Sequence, residues 1–61
     1  MLTKSTVVRT IRERTGIPMY EAERQAGPFI RKRDAMRSSG NYSRKYLDEW
    51  EWSELERLTK R

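Results

Sequence analysis

Lys4-Ser5-Thr6-Val7-Val8-Arg9-Thr10-Ile11-Arg12-Glu13-Arg14-Thr15-Gly16-Ile17-Pro18 is the stretch on which the fold turns. Thr3 or Ser5 can cap a helix here, because a side-chain oxygen at that position accepts from an unpaired N–H of the first turn. Val7, Val8 and Ile11 recur at helical spacing and predict a buried stripe. Arg9, Arg12, Glu13 and Arg14 fall on the other faces. Gly16 stands where a left-handed residue closes a helix, and Pro18 follows two residues later. Together these features predict a first helix from about Lys4 to Arg14.

Reading onward, Pro18 suits the first turn of a second helix, where its missing donor is no loss. Met19, Ala22 and Ala26 line one side of it, with Glu21, Glu23 and Arg24 outward. Gly27-Pro28 predicts a stop and a restart. A third helix, roughly residues 28–37, places Phe29, Ile30, Arg33 and Met36 near one face, and Ser38-Ser39-Gly40-Asn41 reads as a loop. From Ser43 onward, Tyr46, Leu47, Trp50, Leu55 and Leu58 form an apolar stripe interrupted by Glu51 and Glu54. Such a stripe is either partly exposed or faces arginines from elsewhere in the fold. Ser53 with Glu56 matches a capping box, so the pattern allows a break there. The fold class expected is all-α: a compact three-helix module over residues 1–40, then a C-terminal amphipathic helix over 43–61, within one small domain.

The chain has 61 residues, room for a single domain. A domain of this size buries only about 60% of the surface its unfolded chain exposes, so the core is thin. Hydrophobic residues at 34% against 38% charged thin it further. The absence of Cys and His removes disulfides, the usual zinc sites, Cys nucleophiles and the commonest general base. The carboxylate pairs Glu21/Glu23 and Glu49/Glu51 come with no Gly-rich phosphate loop. A non-enzymatic protein without metal or cofactor is therefore expected. No apolar run is long enough to span a membrane and no signal-peptide core is visible, so a cytoplasmic protein is expected.

Net charge is +5, and its distribution is uneven. Residues 1–40 hold nine basic and four acidic groups, while residues 41–61 hold five of each. A one-sided basic field is the footprint expected for nucleic acid. The candidate phosphate contacts are Arg31, Lys32, Arg33 and Arg37, with Arg24, Arg44 and Lys45 as the rim. Arginine forks onto phosphate oxygens, and each such contact releases counterions. The competing interpretation is a solvated face, or arginines paired with Glu49, Glu51 and Glu54. Trp50 and Trp52 lie two apart on a helix, so one is expected inside and the other partly exposed, with Trp52 the candidate for stacking or anchoring. Expected partners are DNA, RNA or a protein of the transcription or translation machinery. A homodimer through Trp50, Leu55 and Leu58 is a further possibility.

The stretch Val8-Arg9-Thr10-Ile11-Arg12-Glu13-Arg14-Thr15-Gly16-Ile17-Pro18-Met19-Tyr20-Glu21-Ala22 resembles the ubiquitin-associated-like N-terminal domain of elongation factor Ts. That family reads, in outline, apolar-Lys-x-Leu-Arg-Glu-x-Thr-Gly, a small pair, then Met-Met-Asp-Cys-Lys-Lys-Ala-Leu. Ile11 stands for the Leu, and Arg12, Glu13, Thr15, Gly16 and Met19 match. Glu21 replaces the Asp and Ala22 the Cys. Ala35-Met36-Arg37-Ser38-Ser39-Gly40 looks like the end of the family's third helix, so the resemblance covers roughly residues 7–40, with a shorter second link. It implies a three-helix module that docks on a protein through Gly16, Ile17, Pro18 and Met19. It does not imply nucleotide exchange, because nothing here matches the Thr-Asp segment on which that activity depends. The same residues also admit a DNA-binding helix-turn-helix. There, however, the usual small residue of the first helix falls on Arg12 and an apolar position of the second on Gln25.

Overall fold

A computed structural model describes residues 1–60 and shows three helices: α1 (Lys4–Thr15), α2 (Met19–Ser39) and α3 (Arg44–Thr59). No strand occurs among the described residues. The first helix begins as its sequence predicts. The Thr3 hydroxyl accepts from the Thr6 amide at 3.1 Å, and Gly16, at φ 73°, closes the helix by donating its N–H to the Arg12 carbonyl at 2.8 Å. Thr15 adds a bond from its hydroxyl to the Ile11 carbonyl at 2.6 Å.

Pro18 lies just outside α2, in extended conformation. The expected break at Gly27-Pro28 does not occur: α2 runs through both residues for 21 positions, so residues 4–39 form two helices rather than three. Pro28 leaves the Arg24 carbonyl without its helical donor, a defect that costs about 3 kcal/mol in a helix interior. Two features offset it. Pro28 is exposed, so the orphan carbonyl is on the side where water can reach it. The buried stripe Ala22, Ala26, Phe29 and Arg33 also continues in register across the proline, so a break there would unseat half of it. Gly40, at φ 71°, ends α2 in the left-handed conformation, and the Ser39 hydroxyl bonds the Met36 carbonyl at 2.7 Å. Met19, expected on the packing side, is 48% exposed because it precedes the buried stripe.

Ser43 caps α3 by accepting from the Tyr46 amide at 3.1 Å. The helix passes uninterrupted through Ser53. Its buried face, Leu47, Glu51, Leu55 and Thr59, repeats every four residues and needs no break. Each helix packs on the other two. The core is Val7, Val8, Ile11, Ala22, Ala26, Phe29 and Leu55, with Leu2, Ile17, Ile30, Trp50 and Leu58 around it. Trp50 stacks on Phe29 with ring centroids 5.4 Å apart. The C-terminal helix therefore completes the core instead of following a finished module.

At the α2–α3 contact lies a buried ion pair. Glu51 is 1% exposed and Arg33 7%. Arg33 Nη1 reaches Glu51 Oε2 at 3.3 Å and also donates to the Leu2 carbonyl. The Leu2 amide donates to the same Glu51 oxygen at 2.9 Å. Asp34 accepts from Arg33 Nη2 at 3.0 Å and from Nε at 3.2 Å. Charges this deep persist only when paired and hydrogen-bonded. The arrangement ties the N-terminal segment, α2 and α3 together through polar atoms alone.

Candidate nucleic-acid interface

The structure separates the basic residues that the sequence groups together. Arg33 is withdrawn from any surface, because its guanidinium is occupied by Glu51, Asp34 and the Leu2 carbonyl. One of the arginines thus pairs with a tail glutamate, the competing interpretation of the basic run. Arg31, Lys32 and Arg37 remain exposed but do not share a face. At 3.6 residues per turn, Lys32 lies roughly 100° and Arg37 roughly 120° from Arg31 around the helix. Their contacts follow. Lys32 Nζ sits 5.9 Å over the Trp50 ring, within cation–π range, whereas Arg37 Nη1 meets the Met1 sulfur at 3.4 Å. Arg24 and Arg31, two turns apart, share one exposed stripe of α2.

Reasoning from the sequence missed the cations of α1. Lys4, Arg9 and Arg12 line an open groove of about 780 Å³ between α1 and the start of α2, floored by Val8 and Met19. Glu13 and Glu23 border it as well. The signal was present in the spacing: Ser5, Arg9 and Arg12 fall at i, i+4 and i+7, on a face beside Val8. Among the described residues, ion pairs join Met1 to Asp48, Arg33 to Asp34 and Glu51, and Arg57 to Glu54. Lys4, Arg9, Arg12, Arg24, Arg31, Arg44 and Lys45 are in none of them.

Charge is segregated by element. α1 carries four cations and one carboxylate, α2 five and three, and α3 three and five. Arg44 and Lys45 open α3, whose first turn has no acidic residue. Beside them Tyr42 and Tyr46, both exposed, stack on each other at 5.1 Å. Trp52 is 50% exposed and Trp50 is the inner member of the pair, as the spacing predicts. The helical neighbours of Trp52, however, are Asp48, Glu49 and Glu56, at i−4, i−3 and i+4, and three carboxylates around an indole repel phosphate. Farther along α3, Arg57 hydrogen-bonds Glu54 and holds its carboxyl below the usual range.

The residues of the docking alternative lie together at the α1–α2 turn. Gly16, Pro18 and Met19 are exposed, whereas Ile17 is partly buried against the core. The patch assigned to a homodimer is spent inside the chain, since Leu55 is wholly buried, Trp50 stacks on Phe29 and Leu58 packs on the core. With only two helices before it, α3 has to turn this stripe inward. None of the described helices is long and apolar enough to cross a membrane. No protein-family model, curated protein or solved structure matches this chain.

Proposed function

We propose that the protein binds nucleic acid through its phosphates, using Lys4, Arg9 and Arg12 of α1, Arg24 and Arg31 of α2, and Arg44 and Lys45 at the start of α3. The observation that carries this is the set of exposed cations without an internal anion on α1 and α2, while the carboxylates gather on α3. A cation already paired gains little from a phosphate, whereas an unpaired one exchanges solvent and counterions for a charge-assisted contact. The stacked Tyr42–Tyr46 pair beside Arg44 and Lys45 supplies aromatic surface for an unpaired base. Trp52, set among carboxylates, is left out. Such contacts read the backbone, and the residues involved carry no evident code for base sequence.

Affinity for duplex and single-stranded oligonucleotides, measured over a salt series, tests this. Affinity should fall steeply with salt, and Arg9→Ala/Arg12→Ala should reduce the log–log slope by about two on duplex DNA. Absence of binding at low salt, or a slope unchanged by the double substitution, would overturn the proposal.

One observation favours a second function. Val8 and the half-exposed Met19 give the α1–α2 groove an apolar floor, which a nucleic acid does not need. This supports protein docking at the groove through Met19, the one residue of the Gly16, Ile17, Pro18 and Met19 set that lines it. Met19→Gln, at an exposed position, should weaken such a partner and leave oligonucleotide affinity unchanged.

A further inference from the structure

Two features of opposite character stand on this one chain. Trp52 projects from α3, 50% exposed, with Asp48, Glu49 and Glu56 around it. Glu49 and Glu56 take part in no ion pair among the described residues, and Asp48 meets only the terminal amine, at 3.9 Å. The α1–α2 groove is the converse: an apolar floor of Val8 and Met19 under a rim holding Lys4, Arg9 and Arg12. We propose that Trp52 of one copy seats in the α1–α2 groove of a second copy, with its flanking carboxylates paired to Lys4, Arg9 and Arg12.

The occupant follows from size and charge taken together. A Trp side chain brings about 150–250 Å² of surface to bury, and Trp and Arg are the residues that most often anchor an interface. A basic peptide would satisfy only the acidic side of α3, and a nucleic acid only the groove. A second copy satisfies both at once. Glu13 and Glu23 at the groove edge are matched by Lys45, which lies two turns before Trp52 on the same stripe of α3. Because the two patches are unlike, the contact is used twice in a closed dimer or successively in a chain of copies. The groove cations also serve the nucleic-acid proposal, but self-association is measured with no nucleic acid present, so either can fail alone.

Sedimentation equilibrium of the whole chain over a concentration series up to about 1 mM tests this, at about 0.1 M salt, where net repulsion is screened beyond ~10 Å. The weight-average mass should rise to the dimer or beyond. Trp52→Ala should weaken association roughly thirtyfold or more, the loss expected for an anchor residue. Arg9→Glu/Arg12→Glu and Glu49→Lys/Glu56→Lys should each be monomeric alone and associate when mixed, because each retains the patch the other lacks. All of these substitutions are at exposed positions, and circular dichroism checks that each variant is helical. A native chain that stays monomeric throughout would overturn the proposal. So would association that survives in Trp52→Ala, or folded charge-reversed variants that fail to associate on mixing.

Discussion

Arg33 and Glu51 show how a charge changes role with its place on a helix. Removing Arg33 leaves the Glu51 carboxylate buried with no cation beside it, and Arg33→Met should cost about 3–5 kcal/mol. Replacing both partners, as Arg33→Met/Glu51→Leu, should cost far less or even stabilise, since no buried charge is then left and Asp34 is exposed to water. Urea unfolding of the two variants checks this, and equal losses in both would mean that the pair is not the internal tie described. Their burial was legible in part. The spacing put Arg33 on the apolar face with Phe29 and put Glu51 within a stripe that was either partly exposed or facing arginines. Counting charge along the chain nevertheless grouped Arg33 with Arg31 and Lys32, because a run of basic residues looks the same from the sequence whichever way each one points. Glu54 offers a pH test at the same scale. Its carboxyl is held low by the hydrogen bond from Arg57, so the stabilisation is present above the unfolded-state value and is lost as pH falls through the folded one. In Arg57→Gln the Glu54 titration, followed by NMR, should move up toward the ordinary carboxylate range. The small stability difference from the native chain should vanish in acid.

Among the elements, α2 is where sequence signals and structure part. Gly27-Pro28 is a strong local stop signal, yet the stripe Ala22, Ala26, Phe29 and Arg33 has the same phase on both sides of it. Local chemistry argued for two helices, and the buried face, completed by α3, argued for one. The second effect prevails because three helices share one small core. If α2 is continuous, Gly27→Ala should stabilise the protein by about 1 kcal/mol, since an added Cβ there meets nothing within 4 Å. Gly40→Ala should act oppositely, by a similar amount, because Gly40 holds φ at 71°. Thermal unfolding of the two variants separates the cases, and a destabilising Gly27→Ala would contradict a continuous helix. The ends of α1 and the start of α3 were legible because Thr3, Gly16 and Ser43 act through bonds within a few residues. That α3 packs on both other helices and buries Leu55 was not, since it depends on how many helices come before α3.

At the scale of the whole molecule, net charge matters less than its sorting. The uneven distribution of charge was visible in the sequence. Which cations stand free, and that Lys4, Arg9 and Arg12 share a groove, required the fold. In the proposed function the free cations of α1, α2 and the α3 N-terminus meet phosphate. The most direct measurement is the change in backbone amide resonances of Trp52→Ala, which lacks the side chain that competes for the groove, on titration with a short oligonucleotide at low salt. Shifts are expected in residues 4–12, around Arg24 and Arg31, and over residues 42–46, with residues 53–60 of the α3 side unmoved. Shifts centred on Glu54 and Glu56, or none at saturating oligonucleotide, would contradict the phosphate contacts.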